Sequence, residues 1–256
     1  MTAQPFDWKA RGIQVGFVLL FLLTWHVVGE MRLVNPLLLP TPRSILIKFI
    51  AVVQTKALYE HLMVTAFEFV MGFAIAAVGG LGVGYLIGRS RFGTQVFEPL
   101  LASVFAVPIV IFLPIFLLFF GIGPTSKIAF GATYAFFPIA LNTIGAISSV
   151  DARFLRVARA MGADEAQMVR RVLLPAALPM IVTGLRIGCI IGFLSIIGSE
   201  MIAGIKGLGS QIVRLGEGMN TPDMFAWIIF VIFLAITLNV SLTLLQKKFS
   251  PQGQAR

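Results

Sequence analysis

The 256 residues are 58% hydrophobic and only 12% charged, with a mean hydropathy of +0.94. A soluble globular domain carries about 25% charged residues, so an ordinary water-solvated domain is excluded and lipid is indicated as the main solvent. The net charge of +9 is spread between apolar stretches rather than gathered into a basic run. That suits orientation in a membrane better than contact with nucleic acid.

In chain order, a polar start is followed by an apolar run from Gly12 to Val28. It is longer than the 7–15 apolar residues of about one signal-peptide core, and His26-Val27-Val28-Gly29-Glu30 makes a poor cleavage site. The run therefore reads as a retained first span. The loop from Arg32 to Glu60 holds Pro36, Pro40 and Pro42. From Ser44 to Tyr59 it has helical spacing, with Ile45, Phe49, Val52 and Val53 on one face, which predicts an interfacial helix packed on the bundle. Further spans are expected over Leu62–Gly88 (interrupted by Glu68), Leu100–Phe120, Ile128–Ile147, Leu178–Ala203 and Phe225–Leu245. Each reaches the roughly 20 residues a membrane helix needs. Lipid offers backbone amides no partners, and barrel strands are short and alternating, so the runs must be helices. The expectation is an all-α membrane protein of six transmembrane helices, one transmembrane domain over residues 1–256.

The basic residues orient these spans. With the N-terminus inside, the cytoplasmic set is Lys9, Arg11, Arg89, Arg91, Arg153, Arg156, Arg159, Arg170, Arg171, Lys247, Lys248 and Arg256. The outer set is Arg32, Arg43, Lys48, Lys56, Lys127, Lys206 and Arg214. Twelve against seven favours both termini in the cytoplasm.

On that orientation residues 151–175 form the longest cytoplasmic loop, yet their pattern is that of packed helices. Asp151 can cap a helix whose Phe154, Val157, Ala158 and Met161 form an apolar stripe. Gly162 supplies a sharp turn. Asp164 can cap a second short helix with Val169, Val172 and Leu173 on its apolar face, and Pro175 and Pro179 stand where the chain re-enters the membrane. A stripe of this kind beside an arginine face implies a protein cover.

Arg156-Val157-Ala158-Arg159-Ala160-Met161-Gly162, continuing to Val172-Leu173-Leu174-Pro175, resembles the EAA loop of binding-protein-dependent ABC importer permeases. The second Ala (Ala158), the Gly (Gly162) and Leu174-Pro175 keep the family spacing, whereas Arg156 and Val157 replace Glu and Ala. Phe119-Phe120-Gly121-Ile122-Gly123, Phe137-Pro138-Ile139-Ala140-Leu141-Asn142-Thr143, Pro175-Ala176-Ala177-Leu178-Pro179 and Gly207-Leu208-Gly209 resemble the nitrate/sulfonate/taurine branch; Glu68 stands where that branch suggests a basic residue. The resemblance implies a bacterial inner-membrane permease, working as a homodimer on a small anion delivered by a periplasmic or extracellular binding protein. It implies coupling to an ABC ATPase through Val157, Ala158, Met161, Gly162, Ala163, Leu174 and Pro175. ATP and Mg would be bound by that partner, with no cofactor on this chain.

Charge inside a span is costly and points to partners or a pathway. Asn142, Arg186 and Glu200 are the candidate pathway residues, and Arg186 with Glu68 forms an alternative structural pair. The only cysteine, Cys189, reads as a small buried hydrophobe. No HExxH, GxSxG or Walker A spacing occurs, which predicts neither a metal site nor catalysis in this chain. An ion-coupled secondary transporter is the alternative function, weakened by the lack of a repeat between the halves.

Overall fold

In the computed structural model every element among the described residues is helical. Described are residues 8–31, 33–35 and 37–249, without the side chains of 8–11, 248 and 249. Arg32, Pro36 and Arg256, and the side chains of Lys9, Arg11 and Lys248, lie outside the described residues.

The order is α1 (Trp8–Glu30), α2 (Pro42–Val53), α3 (Lys56–Gly88), α4 (Arg91–Ala106), α5 (Leu113–Phe120), α6 (Pro124–Ser148), α7 (Ala152–Ala160), α8 (Glu165–Met168), α9 (Leu174–Ala203), α10 (Leu208–Glu217) and α11 (Thr221–Phe249). Among the described residues five runs are long and apolar enough to cross a membrane, and α4 with α5 makes a sixth as a bent pair.

The packing is organised around α6. Along α3, Gly72, Ala76, Gly80, Gly84 and Gly88 recur every fourth residue and are buried, so one smooth face runs along the second half of the helix. A Cβ on Gly84 would lie 2.6 Å from Cβ of Thr143, and one on Gly80 would lie 2.8 Å from Cβ of Ile139. An adjacent flank of α6 meets α9 in the same way. A Cβ on Gly184 would lie 2.6 Å from Cβ of Asn142, and one on Gly188 2.9 Å from the Ala135 carbonyl oxygen. In lipid there is little hydrophobic drive to bring helices together, so close backbone approach and van der Waals contact must do it. Two glycine-lined helices therefore clasp α6.

Three expectations need correction. The third span is not one helix over Leu100–Phe120: α4 and the following run Ile109–Phe120 meet at 76°. Pro108 has no N–H to continue the helix and drives its predecessor out of the α region; Val107 is extended at φ −73°, ψ 135°. The Val110 amide freed at this break donates to the Tyr134 hydroxyl at 3.1 Å. Next, the helix expected over Ser44–Tyr59 ends at Val53, and the second span starts at Lys56 rather than Leu62. Thr55 is extended, and its hydroxyl accepts the Leu58 amide at the start of α3. As expected, α2 packs on the bundle. Ile45 and Val52 are buried, and Lys48 Nζ donates to Asp223 Oδ2 of α11 at 3.0 Å.

Finally, the second short helix of the 151–175 loop is continuous with the fifth span. The chain runs helically from Glu165 to Ala203 through a π turn at Val169–Leu173, where the Leu174 amide bonds to the Val169 carbonyl. Pro175 cannot donate back to residue 171, and the wider turn accommodates it. The helix α10, in turn, lies where no helix was expected.

Candidate functional site

At one end of the bundle, α7 and α8 form an elbow. Asp151 caps α7 by accepting the Arg153 amide at 2.8 Å. The far end closes in a Schellman arrangement: the Ala163 amide bonds to the Ala158 carbonyl and the Gly162 amide to that of Arg159, each at 3.0 Å. Gly162 takes φ +81° to permit this, with open space around it. Asp164 then opens α8 with a capping box, its carboxylate accepting the Gln167 amide at 2.7 Å. Arg159 and Glu165 bridge the two arms at 3.1 Å.

The faces of α7 sort differently from the stripe read in the sequence. Leu155 turns inward onto Ile147, Leu173 and their neighbours, and Ala158 and Ala163 are half-buried. Phe154, Val157 and Met161 point outward, 62%, 59% and 83% exposed. Leu174 and Pro175 are exposed at the start of α9.

At the opposite end lies a buried polar cluster. Glu200 has no exposed surface. Its carboxylate accepts from the Thr65 hydroxyl at 2.6 Å and from the Gly209 amide at 2.8 Å. The Leu208 amide donates to Thr65 Oγ1 at 2.9 Å, and His61 Nδ1 sits 3.1 Å from the Gly207 nitrogen. Gly207 has φ +125°, and a Cβ there would collide with the Glu200 carboxylate. A carboxylate at the first amides of α10 stabilises that helix end, as a capping side chain would. Beside it, Glu68 forms an ion pair with Lys127, both buried. Lys127 Nζ also reaches the Lys206 carbonyl at 3.5 Å, next to a cavity of about 240 Å³.

The remaining candidates stand apart from that cluster. Asn142 Nδ2 donates to the Pro138 carbonyl of its own helix at 2.8 Å, at the close contact with Gly184. Arg186 does not pair with Glu68. Its guanidinium donates to Asn239 Oδ1 at 2.9 Å and Gln246 Oε1 at 3.0 Å, and Gln246 Nε2 donates to Thr183 at 2.7 Å. These contacts tie α9 to α11.

A family model for the binding-protein-dependent transport system inner membrane component matches residues 80–252, the stretch that carries the elbow, α9 and α10. The chain belongs to that family. It is 31% identical to the taurine transport system permease protein TauC of Escherichia coli (strain K12), over 93% of this chain and 89% of TauC. It is 32% identical to the putative aliphatic sulfonates transport permease protein SsuC of Bacillus subtilis (strain 168), over 94% and 88%. Among solved structures, the inward-facing MetNI methionine ABC transporter has a chain that superposes with a TM-score of 0.62 at 25% identity. The match covers 77% of this chain and 95% of that one.

The protein is thus a permease subunit of an ABC importer, a multi-pass protein of the inner membrane. As a permease of this family it works with an ATPase subunit and a substrate-binding protein. Several polar residues of this permease escaped the sequence reading. Lys127 was assigned to the outer surface charge, although the lone acid Glu68 in a neighbouring span was a signal for a buried cation. Asn239 and Gln246, seven apart in the apolar last span, were the corresponding signal for Arg186.

Proposed function

We propose that this permease carries small organosulfonates such as taurine, that it pairs with a second copy of itself, and that α7 is the element an ABC ATPase drives. The substrate class is supported by the similarity to TauC and SsuC over nearly the whole chain. Pairing is supported by the resemblance of the chain to permeases in which one six-helix unit makes half a pathway. The observation that carries the coupling role is the outward facet of Phe154, Val157 and Met161. Exposed apolar side chains on a rigidly capped helix among arginines form a surface that a protein groove would cover. Both termini and the elbow face the cytoplasm, in keeping with the basic residues at that end.

Of the pathway candidates, Asn142 and Arg186 are half-buried at helix contacts and remain pathway residues in this proposal. Glu200 instead anchors α10 at the outer mouth. The experiment is purification of the tagged permease co-expressed with an ATPase and binding protein from its own operon, followed by uptake assays in vesicles. Combined V157D and M161D should release the ATPase without lowering membrane abundance. Labelled taurine uptake should be inhibited by alkanesulfonates and not by nitrate or riboflavin. Retention of the ATPase by the variant would refute the docking face, and inhibition only by nitrate or riboflavin would refute the substrate class.

A further inference from the structure

Behind the elbow, on the side away from the outward facet, lies a second cavity of about 590 Å³. It is walled by the end of α3, the start of α4, the end of α6 and the inner side of α7 and α8. Its surface divides by chemistry. Ile147, Leu155 and Leu173 make an apolar floor, whereas Arg89, Arg91 and Arg159 bring three guanidinium-bearing residues to its lining. Glu165 is the one acidic lining residue, and it is bridged to Arg159. Among the described residues, neither Arg89 nor Arg91 has an ion pair.

The turn that carries these two arginines is rigid. Ser90 caps α4 by accepting the Gly93 amide at 3.2 Å, and a Cβ on Gly93 would lie 2.8 Å from the Ile87 carbonyl oxygen. The Arg89 guanidinium is held over the Tyr85 ring, 5.8 Å from its centroid. The 16-residue helix α4 starts in the cavity wall, adding the positive end of its dipole to the two cations. An anion with an apolar body fits this division: two exposed arginines without an ion pair at the rim, aliphatic floor within.

We propose that the cavity binds a phosphate-bearing ligand, and that the ligand is the headgroup of an anionic glycerophospholipid of the cytoplasmic leaflet. Arg89 and Arg91 hold the phosphate, and the glycerol and upper acyl carbons lie on Ile147, Leu155 and Leu173. A bound headgroup would tie the α3–α4 turn to α7 and brace the elbow from behind. Only the choice of leaflet rests on the cytoplasmic placement of α7 proposed above; the binding assay in detergent does not depend on it.

The test uses the purified full-length permease in a neutral detergent, with thermal unfolding and native mass spectrometry as readouts. The probes are phosphatidylglycerol, phosphatidylcholine and sodium phosphate. Phosphatidylglycerol should be retained and should raise Tm more than phosphatidylcholine does. R89Q with R91Q should weaken its binding roughly 30-fold, as the loss of two arginine–phosphate contacts at a membrane surface would. R89K with R91K should keep part of the binding, and R43Q with K56Q, which removes the same charge at the other end, should keep all of it. If sodium phosphate saturates the same arginine-dependent effect and phosphatidylglycerol adds nothing, the phosphate site stands and its source is free phosphate. Equal binding of the two lipids, or unchanged binding in R89Q with R91Q, would overturn the proposal.

Discussion

Glu68, Lys127 and Glu200 are the fully or almost fully buried charged residues among those described, and they are held in two different ways. Glu200 is satisfied by a hydroxyl and a helix-end amide, so it behaves as a structural acceptor. Replacing it by Gln keeps the shape but removes the charge, and with the amide oxygen kept for the Gly209 N–H the Thr65 hydroxyl loses its carboxylate acceptor. E200Q should therefore loosen α10 at a cost of about 1–3 kcal/mol, seen as a lower Tm and as faster proteolysis within residues 204–220. Unchanged stability with altered uptake would return Glu200 to the pathway. The Glu68–Lys127 pair is different, because each charge is the main partner of the other. Removing one leaves a buried unpaired charge, which costs about 3–5 kcal/mol, whereas replacing both with apolar side chains is often neutral. Accordingly E68L and K127M should each sharply lower Tm and membrane abundance, and the double variant should recover most of the loss. A double variant as impaired as the sum of the singles would mean that the pair does not act as a unit.

At the scale of elements, the clasp around α6 depends on which glycines face it. Gly84 and Gly82 lie on the same helix two residues apart. A Cβ on Gly84 would crowd Thr143 and the Ala140 carbonyl, whereas one on Gly82 would meet nothing within 4 Å. Ala is the better helix former by about 1 kcal/mol. G82A should thus leave Tm unchanged or raise it, while G84A should lower Tm by forcing α3 away from α6. Equal effects would show that the close approach is not what glycine provides. The bend between α4 and α5 offers a parallel case. Y134F removes the acceptor for the Val110 amide in a region where lipid supplies no substitute, at an expected cost of about 1–3 kcal/mol in detergent stability. The caps at Asp151 and Asp164 were legible in the sequence, whereas the four-residue spacing of Gly72, Ala76, Gly80, Gly84 and Gly88 stood there unread until the packing gave it a partner. The break had its signal in Pro108 itself, but Pro99, Pro138 and Pro179 lie inside unbroken helices, so a proline in an apolar run does not by itself say where the chain bends. The helix α10 was missed for another reason. Its ten residues are too few for a span, and its start is fixed by Glu200 and Thr65, which lie far away in sequence.

Across the whole molecule the two ends differ in character. Lys127 and the polar network around Glu200 gather at one end, largely buried, and Arg89, Arg91 and the arginines of the elbow at the other, exposed, so the charges counted along the chain divide into a buried cluster and a basic surface. The elbow is the feature that would connect the basic surface to an ATPase, and Gly162 is where that connection can be tested. It has no close neighbour, so what it contributes is the conformation at φ +81° rather than room for another backbone. Residues differ in how they bear that conformation: Asn adopts it at modest cost, and a β-branched residue does so poorly. If the elbow transmits movement, G162N should retain most uptake. G162V should insert and accumulate normally yet lose ATPase retention or substrate-stimulated hydrolysis, because α7 would leave α8 at a different angle. If Gly162 merely ends a surface helix, both variants would transport at near-normal rates. Membrane abundance, ATPase co-purification and uptake measured side by side separate these outcomes, and full uptake in G162V at normal abundance would refute the coupling role.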